Sequence, residues 1–332
     1  MTRLPMSRLV AAFAAFAIAG VAAAQPVVMR ISHQVPPAHH MTKLLEGFAA
    51  DVKQRTNGQV EVQLFGSEQL AKAAENFPAV ARGTIEAAMS VNFQWGTTIP
   101  EMSATLMPYA MSDLERIKRF PASEARKFLD GKLAQRGVQS VAWLYITRET
   151  IITSKQRPII AIDDFKGVKI RGLNTLTDNG LRAAGAAPSA MPGSEVYQAL
   201  QSGVLDAGLT DVSAAFSRKY FEVQKYGTVG PIFTIYFHMY ANPAWWQKLS
   251  PAHRQAIEAA AAKAEQDAIG VTEATAAAAI KDLQSKGGMT IHLQTKQEQD
   301  AWRAVMEPAV REAFLKSAPE GGPRILELLN KI

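Results

Sequence analysis

Apolar and polar positions fall into two rhythms along this chain. Residues 27–32 (VVMRIS) form a short apolar run of β character. Residues 60–65 (VEVQLF) alternate, mostly apolar then polar, as a half-buried strand does. Between them Leu44, Leu45, Phe48 and Val52 recur at helical spacing over 42–56. Asn57-Gly58 closes that segment as a helix C-terminal signal. A second helix follows to about Arg82, ended by Gly83, and 86–91 reads as a strand. The opening β-α-β-α-β order is the grammar of an α/β sheet with parallel strands. The middle repeats it. Residues 139–145 and 149–154 read as strands, and GVKIR at 167–171 as a strand ending at Gly172. A helix over 177–184 closes at Gly185. Ser194 caps another through Leu200, with Gly203 past its end, and 204–210 is the next strand.

The last third is mostly helical. Ser250-Pro251 pairs an N-cap residue with a first-turn proline. Alanine-rich sequence then runs to about Ser285 and stops at Gly287-Gly288, with Gly270 a candidate bend. At 1.5 Å per residue this helix spans roughly 50 Å. That is wider than one small domain, so it is expected to run along two. A chain of 332 residues also suggests about two domains. No repeat or low-complexity linker separates them, so several crossings are expected to join them. At the start, Arg3 and Arg8 precede an apolar run, Leu9 to Ala24, that ends Ala22-Ala23-Ala24 before Gln25-Pro26. This is the pattern of a cleaved secretory signal over residues 1–24. The run is short for a membrane span. Its removal would take two arginines and no acid, so the net charge would fall from +6 to +4.

Composition excludes several chemistries. Apolar residues make up 48% and charged residues 20%, which a folded chain of this length can bury and display. There is no cysteine, so disulfides, cysteine-ligated zinc, iron–sulfur clusters, a thiol nucleophile and a lipobox anchor are ruled out. The excess of 36 basic over 30 acidic residues is small, and no basic stripe marks a nucleic-acid surface. Phosphate-loop, dinucleotide, zinc-protease and serine-hydrolase motifs are absent, and no cofactor is expected. His33, His39 and His40 lie near one loop and could approach a metal. They read more simply as loop polars, so no metal is assigned.

One arginine stands out. Arg171 ends a predicted strand directly before a glycine, and ligands of open α/β sheets bind at the carboxyl ends of strands. Along GVKIR, Val168 and Ile170 point one way and Lys169 and Arg171 the other. A guanidinium there offers a planar fork to a carboxylate. On composition alone, a solvated arginine at a strand end is the better account.

Longer segments change that weighing. The chain reads DFKGVKIRGL from Asp164 and GAAPSAMPGSEVYQALQSGVLDA from Gly185. This resembles the signature of the DctP-type solute-binding proteins of tripartite ATP-independent periplasmic (TRAP) transporters. Lys166, Gly167, Lys169 and Arg171 match its strand. Gly185, Ala186, Pro188 and Met191 match the next block. Glu195, Val196, Tyr197, Ala199, Leu200, Gln201, Gly203 and Asp206 match the helix block, and Ala207 replaces its last glycine. The resemblance covers about residues 27–330.

It implies a two-lobed α/β periplasmic binding protein with hinge strands and a long helix crossing both lobes. The lobes are expected at 25–145 with 236–275, and at 146–235 with 276–332. It implies no enzyme and no nucleic-acid partner. Instead, a small organic acid is captured between the lobes in the periplasm and delivered to membrane permease subunits. Arg171 matches the main carboxylate-binding arginine. Arg148, in YITRET, resembles a second basic position facing the cleft. Gln34, Asn92, Trp95, Thr210 and Tyr236 fall where other members line the pocket.

The departures shape the expected ligand. Ala73 and Val91 stand near positions where sialic-acid binders carry acids. Thr210 replaces an asparagine, and Gly193 replaces a phenylalanine, which is expected to open space. Phe93, Trp95, Tyr236 and Phe237 could supply an apolar wall. The expected ligand is a monocarboxylate with an apolar or aromatic body. Short C4-dicarboxylates or 2-oxo acids are the alternative within the family, and an ATP-coupled (ABC-type) binding protein the alternative outside it.

Overall fold

The computed structural model describes residues 25–332. The expected signal segment, 1–24, lies outside the described residues. The chain begins with β1 (Val27–His33), α1 (His40–Arg55), β2 (Val60–Phe65), α2 (Asn76–Ala81) and β3 (Ala87–Val91). Helix α1 starts where the His39 ring accepts a hydrogen bond from the Met41 amide. It stops at Asn57 and Gly58, whose φ angles of 49° and 76° are left-handed. A left-handed residue turns the chain out of the helix, and glycine adopts it without strain. Next come α3 (Leu114–Arg119), α4 (Glu124–Gln135), β4 (Gln139–Thr147), β5 (Thr150–Ser154) and β6 (Lys169–Gly172). They are followed by α5 (Asp178–Ala183), β7 (Ala187–Ala190), α6 (Val196–Gln201), β8 (Ala207–Asp211), α7 (Val212–Ser217) and β9 (Tyr226–Gly230). The chain then runs through β10 (Ile235–Ala241), α8 (Pro243–Lys248), α9 (Pro251–Ser285), β11 (Thr290–Leu293), α10 (Lys296–Ser317) and α11 (Gly322–Asn330).

The strands form two sheets, ordered β2-β1-β3-β10-β4 and β11-β9-β5-β8-β6-β7. Each sheet is the centre of one lobe. The parallel sheets expected from the sequence are in fact mixed. β10 runs antiparallel to both β3 and β4, and β5 antiparallel to both β8 and β9. Both strands are buried along their whole length, and which neighbours they run against is set by distant returns of the chain that local sequence does not show. The chain leaves the first sheet after β4, returns to it through β10 and leaves again through α9 to β11, so three strand connections cross between the lobes.

Helix α9 ties the lobes together. The Ser250 hydroxyl caps it by accepting from the His253 amide, and Pro251 opens it. Its 35 residues give a length of about 50 Å. One part packs on α1 and β4, and another on α7 and β11. Ile257, Ala260, Ala261, Ala264 and Ala268 join a core cluster that contains residues of both sheets, and Ala276, Ala279 and Leu283 join one within the second lobe. Alanine lets the helix axis lie close to both partners while favouring the helix itself. Helix α10 packs on α5 of the second lobe, and α11 returns to α4 of the first.

Candidate functional site

Arg171 sits one residue before the end of β6, between the neighbouring strands β7 and β8, opposite Ser189 and Gly208. The backbone turns away at Gly172. A Cβ there would lie 2.1 Å from Asp178 Oδ1, so only glycine lets the turn pack on Asp178. Arg171 is 2% exposed. Nη1 donates to the Leu209 carbonyl at 2.6 Å. Nε and Nη2 donate to the Met191 carbonyl at 3.2 and 3.0 Å. Phe93 of the opposite lobe covers the guanidinium, with its ring centroid 5.4 Å from Cζ. Burial lowers the Arg171 pKa to about 10, so the group stays cationic at neutral pH. Of its five N–H donors, three are committed. One N–H on Nη1 and one on Nη2 remain, which suits the two oxygens of a carboxylate.

Arg171 lines a chamber of about 20 Å³ between the lobes. Its apolar wall is Val91, Phe93, Ile146, Ile235 and Phe237, and its polar groups are Gln34, His39, Thr210, Asp211 and Arg218. Phe93 also borders an adjoining cavity of about 300 Å³, flanked by Phe77, Trp95, Leu173, Asn174, Met191 and Pro192. The lobes are latched across this region. Asn174 Nδ2 donates to the Phe93 carbonyl at 2.9 Å and to Ser103 Oγ at 3.1 Å. His40 Nδ1 lies 3.2 Å from Ser213 Oγ, and its Nε2 lies 3.1 Å from Thr272 Oγ1 on α9.

The His39 ring stacks on His40 with centroids 4.6 Å apart, and its Nε2 is 3.9 Å from Asp211 Oδ1. Burial pushes the His39 pKa down to about 3, so the ring is neutral at pH 7. Burial works to raise the Asp211 carboxyl. The hydrogen bonds that Asp211 accepts from the Ser213 hydroxyl and the Ala214 amide outweigh it, so Asp211 stays ionised. The chamber then holds two arginines and one aspartate, a formal charge of about +1.

The sequence-predicted residues divide. Arg171, Gln34 and Thr210 meet in the chamber. Trp95 borders the adjoining cavity, and its buried Nε1 has no partner. The remaining three are placed elsewhere. Tyr236 alternates with Ile235 and Phe237 along β10, so it points to the other face. There its ring packs 4.8 Å from Phe120 and 6.0 Å from Tyr145. Asn92 is turned into the first lobe, donating to Thr105 Oγ1 at 2.7 Å and accepting from the Tyr236 amide at 3.3 Å. Arg148, expected to face the cleft, instead pairs with Glu273 of α9 at 2.8 Å and donates to the Ser112 carbonyl at 3.0 Å. It borders a different depression, with Glu149 and Gln294. A carboxylate on the long helix captures it just where β4 ends.

The space expected beside Gly193 is also taken, by the guanidinium of Arg218. Asp211 ends β8 directly after the predicted Thr210, whereas Arg218, which follows α7, reaches the chamber only through tertiary packing. The histidines at 39 and 40 are committed to Asp211, Ser213 and Thr272.

The chamber offers a buried cation, hydrogen-bonding side chains and apolar walls between two lobes, which is equipment for holding an acid. The model of the bacterial extracellular solute-binding proteins of family 7 (DctP) matches residues 31–317. The C4-dicarboxylate-binding periplasmic protein DctP of Rhodobacter capsulatus is 30% identical over 311 residues, covering 93% of each chain. A TRAP periplasmic solute-binding protein from Desulfovibrio salexigens, solved with orotic acid, superposes with a TM-score of 0.87. It is 26% identical and the match covers 92% of this chain and 97% of that one. A second, from Sulfurospirillum deleyianum with succinate, gives a TM-score of 0.82 at 26% identity over 91% and 99% of the two chains. The chain therefore belongs to the DctP family of TRAP solute-binding proteins, which bind their ligands without converting them.

Proposed function

We propose that this protein captures a small monocarboxylate with an apolar or aromatic body in the periplasm and hands it to a TRAP permease in the membrane. The observation that carries the reading is Arg171. It is a buried guanidinium with one uncommitted N–H on each terminal nitrogen, in a chamber whose other side chains are half apolar and half polar. A carboxylate taken out of water needs a charge partner and matched donors, and Arg171 supplies both. The chamber itself admits about one water centre. The body of the acid would extend past Phe93 into the adjoining cavity of about 300 Å³, large enough for a small ligand. One carboxylate cancels the chamber's formal charge of about +1, whereas two would leave a buried excess of negative charge.

A short C4-dicarboxylate is the second reading. The relative from Rhodobacter capsulatus is a C4-dicarboxylate-binding protein, and Arg218 places a second cation in the chamber. A thermal-shift panel of aromatic, branched, 2-oxo and dicarboxylic acids separates the two. Stabilisation by monocarboxylates, with the acid recovered unchanged from denatured protein, supports the first. Stabilisation by dicarboxylates alone would replace it with the second.

A further inference from the structure

Gly193 lacks a side chain, and the hollow beside it is filled. A Cβ built at 193 would lie 2.4 Å from Arg218 Nη1, 2.8 Å from its Cζ and 3.0 Å from its Nη2. Gly193 does not have a left-handed backbone, so the conformation there does not call for glycine. What the missing side chain provides is room for a guanidinium. Arg218 follows the last turn of α7, and its own amide closes that turn on the Ala214 carbonyl. Among the described residues its side chain forms no ion pair. Asp211, the acid of the chamber, is engaged by the Ser213 hydroxyl at 2.5 Å and the Ala214 amide at 2.7 Å. A cation thus lines the chamber of Arg171 beside Gly193, without a counter-ion committed to it among the described residues.

We propose that Arg218 determines specificity by receiving a second, uncharged oxygen of the ligand. That oxygen would be a carbonyl or hydroxyl on the body of the monocarboxylate held by Arg171. The proposal rests on the reading of Arg171 given above and narrows its ligand class to oxygenated monocarboxylates. A planar guanidinium donates well to a carbonyl oxygen. A second carboxylate would satisfy the same donors. It would also drive the formal charge of the occupied chamber from about zero to about −1, at the desolvation cost of a second buried anion.

The test is calorimetric titration of the 25–332 protein with four acids of one chain length: pentanoate, 2-oxopentanoate, 4-oxopentanoate and glutarate. The wild type should bind one of the oxo acids roughly tenfold to 150-fold more tightly than pentanoate, the range for a hydrogen bond to a charged group. Arg218→Met should erase that preference, so that the oxo acids bind no more tightly than pentanoate, while pentanoate itself binds more weakly because the occupied chamber then carries about −1. Gly193→Phe should erase the preference too although Arg218 is still present, because the ring displaces the guanidinium. Melting curves of the two variants verify that both fold. An oxo preference that survives Arg218→Met would overturn the proposal. So would glutarate binding best, with Arg218→Met removing that advantage, since the second group would then be charged. Failure of all four acids to bind would also overturn it. Undiminished pentanoate binding in Arg171→Lys would instead sink the reading of Arg171, whatever the oxo preference does.

Discussion

Arg171→Lys separates charge from geometry, because it keeps the cation and removes the planar fork. In the native chamber Arg171 is steadied by the Leu209 carbonyl at 2.6 Å and the Met191 carbonyl at 3.0 and 3.2 Å. With both carboxylate oxygens bound, all five of its donors would be in use. An ammonium has three donors on one atom and cannot span two backbone carbonyls and two ligand oxygens together. At least one charge-assisted hydrogen bond to the ligand is lost, about 1.5–3 kcal/mol, or roughly tenfold to 150-fold in Kd. Arg171→Met should cost more, about 2–5 kcal/mol, because the bound carboxylate would be buried without its partner. The same change leaves the Leu209 and Met191 carbonyls short of a donor, about 1–3 kcal/mol each. Removing a desolvated charge offsets part of that. Titration calorimetry well below the melting point reads affinity, and melting of the ligand-free protein reads stability. Lysine holding the affinity within about twofold would refute the bidentate reasoning.

Three further outcomes are expected. Burial lowers the pKa of His33 to about 4 and of His39 to about 3, and depresses His40 and His238 too, against about 6.5 in an unfolded chain. The unfolded state binds more protons between those values, so stability is full above pH 6.5 and falls as the pH drops towards 4. Asp178, raised to about 6 by burial, works the opposite way, as do Glu149 and Glu265, which burial also raises. A melting temperature that stays flat or rises from pH 7 to pH 4 would contradict the histidine account. Gly172→Ala should destabilise by about 1–3 kcal/mol through overpacking, since its Cβ would sit 2.1 Å from Asp178 Oδ1. Denaturant titration checks this, and an unchanged midpoint would count against it. Arg148→Ala should change ligand affinity by less than about tenfold, because Arg148 is bound to Glu273 and Ser112 outside the chamber. A loss as large as that of Arg171→Met would return Arg148 to the site.

Much of the fold was legible because its signals are local. The start of α9 was readable from Ser250-Pro251 and its end from Gly287-Gly288, and its length alone implied two lobes. The placement of Arg171 at a strand end followed from the GVKIR alternation. Strand β10 gave no such signal, because the run IYFHMYA is buried throughout and its antiparallel pairing depends on a distant return of the chain. The site was legible only in part, for the same reason. Gln34 and Thr210 come to Arg171 as expected from the resemblance. Tyr236 falls on the wrong face of its strand, and Arg148 is drawn to Glu273 across 125 positions of sequence. The exchange at Gly193 was visible in the sequence as a missing side chain. That Arg218 fills it is a fact of packing between α7 and the segment after β7, which no spacing rule records.

The central claim is that the carboxylate of the ligand binds end-on to Arg171. A crystal structure of the protein with the acid that stabilises it most in the thermal-shift panel tests this directly. The account predicts two carboxylate oxygens, each about 2.7–2.9 Å from Nη1 or Nη2 of Arg171, with the body of the acid passing Phe93. A carboxylate seated beside Arg148, or anywhere that leaves both terminal nitrogens of Arg171 without it, would contradict the account.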